Sequence, residues 1–237
     1  MKNKKRYYAY AFMLFCFFGM TATIFFIVDW KKDINKNIKI NQSLKEYISI
    51  KEDSKINIDF NELEKINSDT VGYIIVPNTN VNYTVVKAKD NDYYLTHDFN
   101  KEYNNSGWIF TDYKNKVDGS DKNLVIYGHE TSGGYMFGSL SNLLNEDILK
   151  NKENQIISFI TKNGLKKYQI FSIYTIKPEK YYITTDFTEE EFTRFKKAIK
   201  ERSLYKIDAS LENKNILTLS TCQNYGVKRL AIHAVEI

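Results

Sequence analysis

The chain has 237 residues, 43% apolar and 27% charged, a composition typical of a folded protein with one large domain or two small ones. The formal net charge is +5, and four of the positive charges lie within residues 2–6. Because the remainder of the chain is close to neutral, the basic balance does not indicate a nucleic-acid-binding surface, and we expect no nucleic-acid partner.

Residues 7–28 carry no charged side chain and consist mainly of Phe, Ala, Met, Leu and Ile. A helix of about 20 apolar residues crosses the hydrocarbon core of a bilayer. Tyr7 and Trp30 fit the aromatic belts of its two interfaces, and the preceding basic residues favour a cytoplasmic N-terminus. A cleaved secretory signal is the alternative, but no small-residue cleavage site follows Val28. The sequence predicts an uncleaved signal-anchor with residues 29–237 outside the cytoplasm.

The next part of the chain is polar with spaced apolar residues. Over residues 30–50 this spacing predicts one or two amphipathic helices. Asp59 is a candidate N-cap of a short helix through Ile66, with Glu62 three positions on as in a capping box. We therefore expect a helical extension between the membrane span and the main domain.

From Val71 the pattern changes to short β-type runs separated by turn-rich links. Eight such runs are recognisable: Val71–Val76, Val81–Val86, Trp108–Thr111, Leu124–Tyr127, Gln155–Ile160, Lys167–Ile176, Ile216–Cys222 and Leu230–Ile237. Their number and mostly short connections predict a barrel or sandwich. One long helix interrupts them, since Thr188 and Glu191 form a capping box ahead of an apolar face. We expect this helix to pack on the barrel and to wall one side of a groove.

Cys222 ends a predicted strand. Side chains alternate along a strand, so Leu217 and Leu219 face one way while Ser220 and Cys222 face the other. A buried structural cysteine is the ordinary alternative. Cys16 lies inside the predicted membrane span, so Cys222 is the one cysteine of the external part. A lone external thiol indicates either intermolecular pairing or a reactive site.

A cysteine nucleophile needs a proton donor or acceptor nearby. His129 also follows a predicted strand, and we favour it over His97, in a polar stretch, and His233, in the last strand. Arg229 begins the final strand, so a hairpin could return it towards Cys222, where a guanidinium can stabilise an oxyanion; an ordinary surface arginine is the alternative. No metal-ligand spacing, Walker-type loop or dinucleotide fingerprint is present, so we expect no metal and no cofactor.

These residues together resemble a sortase. The resemblance is carried by Thr218-Leu219-Ser220-Thr221-Cys222 with Arg229 after it, by Asn123–His129 followed by Met136–Leu140, and by the segments Tyr83–Val86 and Asp90–Leu95. It covers about residues 68–237. The polar N-terminal region and the helix at 188–202 are similar to class B sortases, with classes A and D as alternatives.

The resemblance implies a mainly β fold, a closed eight-stranded sortase-type β-barrel with N-terminal helices and one long helix before the cysteine strand. It implies transpeptidation at the surface of a Gram-positive bacterium. Cys222 would form a thioester with a C-terminal sorting signal, His129 would act as acid and then base, and Arg229 would hold the oxyanion. Ser220 would line the signal groove. The partners would be surface proteins bearing sorting signals and an amino group of peptidoglycan or lipid II.

The predicted organisation has four parts: a basic cytoplasmic tail (1–6), a transmembrane signal-anchor (7–28), a helical N-terminal extension (29–67) and a catalytic β-barrel (68–237). The protein would therefore lie in the cell membrane as a single-pass protein. Two other functions stay open at this point. One is a non-catalytic, membrane-tethered scaffold in which Cys222 only packs, and the other is a hydrolytic cysteine peptidase.

Overall fold

The computed structural model describes residues 2–50, 56–131, 133–223 and 227–237. Within these ranges the helices are α1 (Lys2–Leu44), α2 (Phe60–Ile66), α3 (Glu146–Lys150) and α4 (Glu189–Glu201). The strands are β1 (Ile48–Ile50), β2 (Ile56–Ile58), β3 (Thr70–Ile75), β4 (Asn82–Val86), β5 (Phe110–Thr111), β6 (Asn123–His129), β7 (Ile156–Thr161), β8 (Gly164–Ile176), β9 (Ile216–Gln223) and β10 (Lys228–Glu236). Short 3₁₀ turns connect several of them.

Strands β3 to β10 form a closed barrel in the order β10-β8-β7-β3-β4-β5-β6-β9. The pairs β4–β5 and β6–β9 are parallel, and the other neighbours are antiparallel. Each of the eight β-type runs in the sequence overlaps one of these strands. The predicted closed eight-stranded barrel is therefore confirmed. Closure removes the unpaired strand edges that an open sheet would expose.

The N-terminal region differs from the expected helices in one respect. α1 continues without a break to Leu44, and β1 and β2 then pair as a separate two-stranded antiparallel sheet. Ile48 and Ile50, which the helical spacing had included, lie in β1 because Ile-Ser-Ile alternates with the period of a strand. α2 begins as expected, with the Asp59 carboxylate accepting a hydrogen bond from the Glu62 backbone N–H at 3.1 Å.

The N-terminal part of α1 is exposed and apolar. It contains an 18-residue window with a mean hydropathy of 2.3, none of it buried against the rest of the protein. By length and composition, this helix could cross a membrane.

Two apolar layers position the strand that ends near Cys222. Leu217 and Leu219 point into the barrel core, whereas Ile216 belongs to a second core between the outer barrel wall and α4. α4 has the predicted capping box at Thr188, and its buried face packs on the outer side of the barrel. The alternation predicted for Leu217, Leu219 and Ser220 is confirmed, since Ser220 lies on the outer face, hydrogen bonded to Tyr182 of the second layer. The Cys222 side chain, predicted on the same face as Ser220, lies outside the described part of the structure.

His233 lies fully buried in this second layer. Its Nδ1 is hydrogen bonded to the Thr218 hydroxyl at 2.8 Å and its Nε2 to the Tyr174 hydroxyl at 2.9 Å. Burial, together with the nearby Arg202 charge, lowers the pKa of His233 to about 3. The imidazole therefore stays neutral in the folded protein at pH values where it is already protonated in the unfolded chain.

This difference predicts acid sensitivity. Because the unfolded chain binds the proton near pH 6.5 and the folded protein does not, stability is present above that pH and is lost as the pH falls towards 3. We expect His233 to remove about 2 kcal/mol from the free energy of unfolding between pH 7 and pH 5. Urea unfolding at both pH values should show this loss in wild type and in His97→Gln. An equal loss in His233→Gln would contradict the assignment.

Candidate active site

The three residues predicted to be catalytic lie in one row across three neighbouring strands. β9 runs between β6 and β10; Cys222 pairs with His129 in the parallel register on one side and with Arg229 in the antiparallel register on the other. Neighbouring strands are about 4.8 Å apart, so the three backbone positions are adjacent. The Cys222 side chain lies outside the described part of the structure, and its place in the row comes from strand pairing.

A cavity of about 410 Å³ opens beside this row. Its lining is mostly apolar and comes from six parts of the chain, namely Asn91 and Leu95; Phe110; Tyr127, Gly128 and His129; Pro178, Glu179, Lys180, Tyr182 and Ile183; Ser220; and Arg229. An apolar cleft with a few polar groups at one end is the usual form of a site for a peptide or small-molecule segment. His129, Ser220 and Arg229 supply such polar groups here.

His129 is half-buried and anchored through one ring nitrogen. Its Nε2 is 2.7 Å from the carbonyl oxygen of Leu95. A carbonyl can only accept, so Nε2 carries a proton and donates, which makes Nδ1 the ring atom that can gain or lose a proton. This is the arrangement that an acid–base histidine needs, because one nitrogen is oriented and the other can react.

All three histidines of the chain lie in described segments, and among them His129 lines the cavity. His97 stacks on the Tyr93 ring with centroids 4.1 Å apart, and its Nδ1 donates to the Tyr93 carbonyl oxygen at 2.8 Å. His233 is buried in the second layer behind Tyr182 and does not line the cavity. The geometry therefore supports the preference for His129.

Ser220 lines the cavity, and its hydroxyl has a structural partner. It shares a hydrogen bond of 2.8 Å with the Tyr182 hydroxyl, and both side chains are buried. Tyr182 belongs to a 3₁₀ turn, Tyr181–Ile183, in the link between β8 and α4. This bond holds one wall of the cavity against β9. This wall was not predicted from the sequence, although the three consecutive apolar residues Tyr181–Ile183 in a polar link were a usable signal.

Another part of the cavity lining is held by the Asp112 carboxylate. The Asp112 carboxylate accepts hydrogen bonds from the Tyr127 hydroxyl and from Asn91 Nδ2, both at 2.8 Å. Burial, and after it the Asp112 charge, raises the pKa of Tyr127 above its usual range. The phenol therefore stays protonated and keeps donating. Two lining side chains, Tyr127 and Asn91, are thus oriented by one carboxylate.

A larger cavity of about 640 Å³ lies along α4. Its lining includes Lys122, which directly precedes β6 and so lies at the end of that strand opposite His129. Lys122 Nζ pairs with Glu189 at 2.9 Å, and Lys196 Nζ donates to the Leu211 carbonyl oxygen at 2.7 Å. These lysines hold the surrounding segments together. We place the candidate active site at the smaller cavity, because His129 and Arg229 line it.

Comparison with known proteins identifies the family. The family model of the sortase domain matches residues 74–237. Sortase B of Listeria monocytogenes is 36% identical over 169 residues, 68% of this chain and 67% of that protein. Sortase B of Staphylococcus aureus is 33% identical over 156 residues, 65% of this chain and 63% of that protein.

The fold comparison agrees with these sequence matches. The crystal structure of sortase B from Bacillus anthracis in complex with AAEK1 superposes with a TM-score of 0.77 at 34% identity, covering 87% of this chain and 98% of that one. Both the sequence and the barrel topology thus point to the same group of proteins. The chain belongs to the sortase family, and the relatives to which it is similar are class B sortases.

Proposed function

We propose that the protein is a membrane-anchored class B sortase that cleaves a C-terminal sorting signal and transfers the surface protein to an amino group of peptidoglycan or lipid II. The observation that carries this proposal is the row of His129, Cys222 and Arg229 on three adjacent strands, with the first and last of them lining an apolar cavity. The family supports transpeptidation as the reaction of such a site.

In the first half of the proposed reaction, the Cys222 thiolate attacks the scissile carbonyl carbon of the sorting signal. The carbonyl oxygen becomes an oxyanion, and the Arg229 guanidinium stabilises the developing negative charge. His129, as imidazolium, gives its Nδ1 proton to the leaving amine while Nε2 stays hydrogen bonded to the Leu95 carbonyl. Collapse of the tetrahedral intermediate breaks the amide bond and leaves a thioester on Cys222.

In the second half, the acceptor amine enters and attacks the thioester carbon. The neutral His129 takes a proton from the attacking nitrogen, and Arg229 again stabilises the oxyanion. The new amide bond forms as the Cys222 thiolate leaves, which restores the starting enzyme with no net consumption of protons. This use of one histidine in both directions requires no metal or cofactor.

The cavity is the proposed groove for the sorting signal. Ser220 lines it and binds Tyr182, so we assign Ser220 two tasks, contact with the bound peptide and support of the Tyr182 wall. The mostly apolar lining favours burial of side chains of an extended peptide next to the reacting carbonyl.

The proposed domain organisation follows the membrane helix: a cytoplasmic tail (1–6), a signal-anchor (7–28), an N-terminal extension (29–67) and the extracellular catalytic barrel (68–237). The apolar, exposed part of α1 supports the anchor, and the basic residues before it support a cytoplasmic N-terminus. The catalytic site would then lie where secreted substrates emerge from the membrane.

The decisive test separates transfer from hydrolysis. The full chain in lipid nanodiscs is incubated with a library of sorting-signal peptides, with and without an added peptide amine, and the products are identified by mass. We expect a peptide–amine product that forms only when the amine is present and that competes with hydrolysis. Hydrolysis that is indifferent to the amine would indicate a cysteine peptidase. No turnover of any sorting-type peptide would favour a scaffold module.

A further inference from the structure

α1 does not stop at the end of the predicted membrane span but continues onto the barrel. Asn37, on the docked face of the helix, is only 2% exposed although it is polar. Its Nδ2 donates to the Gly107 carbonyl oxygen at 3.0 Å, and its Oδ1 accepts from Asn104 Nδ2 at 3.0 Å. A buried amide whose donor and acceptor are both used defines one orientation of the helix against this loop.

Two charged residues that precede Asn37 on α1 contact the same loop. Lys36 Nζ lies 2.6 Å from carboxylate oxygens of both Asp98 and Glu102. The Asp33 carboxylate accepts from the Asn105 backbone N–H at 2.9 Å. The helix that emerges from the predicted span is therefore clamped to the segment between Asp98 and Gly107 by several independent contacts.

Gly107, which accepts the hydrogen bond from Asn37, is also packed closely against the backbone of Leu95. Its φ is +54°, and a Cβ atom at this position would lie 2.4 Å from the Tyr94 carbonyl oxygen and 2.8 Å from that of Leu95. The next residue, Trp108, donates its backbone N–H to the Tyr94 carbonyl oxygen at 2.9 Å. The Gly107 backbone is thus in close contact with the peptide units of Tyr94 and Leu95, and a glycine is required there.

Leu95 in turn orients the candidate catalytic histidine, because its carbonyl oxygen accepts the hydrogen bond from His129 Nε2 at 2.7 Å. An unbroken series of contacts therefore leads from Asn37 through Gly107 and Leu95 to His129. Every member of the series is a hydrogen bond or a backbone contact, so a displacement of Gly107 moves the acceptor of His129 directly.

We propose that Asn37 is a positioning residue for His129. By holding Gly107 against the Leu95 peptide, it keeps the imidazole in the form with its proton on Nε2 and with Nδ1 available for proton exchange. The membrane-proximal helix is then part of the preorganisation of the active site as well as a tether. The catalytic consequence rests on the proposed function, whereas the effect on the imidazole does not.

The test uses the full chain in lipid nanodiscs with ¹⁵N-labelled histidine, since three histidines give few signals. Long-range ¹H–¹⁵N spectra report which ring nitrogen carries the proton. We expect the neutral imidazole of His129 to carry its proton on Nε2 in wild type and to be a mixture of tautomers in Asn37→Ala. The kcat for transfer should fall about tenfold with little change in KM, because misorientation affects the reacting group more than binding.

Asn41→Ala is the matched control. Asn41 is also on α1 and docks the helix, but its Nδ2 donates to the Asn82 carbonyl oxygen at 3.3 Å, away from Leu95. We expect this variant to keep the wild-type His129 spectrum and kcat. The signals of the buried His233 verify that each variant is folded. Asn37→Asp keeps the acceptor for Asn104 but loses the donor to Gly107, so it should behave like Asn37→Ala.

An unchanged His129 spectrum in both Asn37 variants would overturn the proposal, as would an equal change in Asn41→Ala. If the tautomer shifts in the Asn37 variants while wild type transfers no peptide, the positioning series is supported and the proposed function fails. If wild type is active and the Asn37 variants keep the wild-type tautomer and kcat, the function stands and the positioning role is rejected.

Discussion

Replacing Cys222 with alanine is expected to abolish both cleavage and transfer of a sorting-signal peptide. In the proposed mechanism the thiolate forms the covalent intermediate, and no other group can replace it, so turnover through a thioester should be lost. Mass spectrometry of wild type incubated with peptide and no amine should detect an acyl adduct on the Cys222-containing fragment. The alanine variant should form no adduct.

Cys16→Ala provides the matched control. Cys16 is exposed on α1 in the apolar part of the helix, so removing its thiol leaves the barrel untouched. We expect this variant to retain wild-type transfer. Full activity of Cys222→Ala would eliminate the proposed mechanism, and adduct formation on Cys16 would place the nucleophile elsewhere.

Replacing His129 with glutamine is expected to reduce kcat by about 10²- to 10⁴-fold, the usual contribution of a general acid–base group. Glutamine can still donate a hydrogen bond towards the Leu95 carbonyl, so the loop should stay in place while proton transfer is lost. Both steps should slow, since in the proposed mechanism the same ring protonates the leaving amine and deprotonates the acceptor. Single-turnover acylation and subsequent amine capture, measured separately, report the two effects.

His97→Gln is the control for this experiment, because His97 stacks on Tyr93 and is not part of the cavity lining. Its turnover should remain close to wild type. A His129→Gln variant that acylates at the wild-type rate would show that another group protonates the leaving amine. If His97→Gln lost activity to the same extent, the assignment of the acid–base residue would be wrong.

Local signals predicted much of this fold. The eight β-type runs each became one barrel strand, and the Thr188–Glu191 capping box marked the start of α4, because periodicity and caps depend on residues close in sequence. The same reasoning failed at Ile48 and Ile50, where a short apolar alternation within a helical pattern was assigned the wrong period. Short segments are the ones in which helix and strand periods are hardest to distinguish.

The candidate site was predictable in its residue types but not in its geometry. Strand ends at Cys222 and His129 suggested two reactive groups, but their adjacency follows from the parallel pairing of β6 and β9, which lie far apart in sequence. Irregular segments supply the other groups of the candidate site, namely the Leu95 carbonyl that orients His129 and the Tyr182 side chain that contacts Ser220. Loops have no periodicity from which such contacts can be inferred.

The amino-acid sequence alone established the apolar N-terminal helix, the succession of strands, the capped helix and a cysteine strand whose leucines and serine face opposite ways. Each of these depends on side-chain order within a few residues. The alignment of His129, Cys222 and Arg229 in one row, and the docking of Asn37 behind the histidine, came from the folded barrel. They required closure of the sheet in one register and packing of α1 on a distant loop, and both are set by the sum of many long-range contacts.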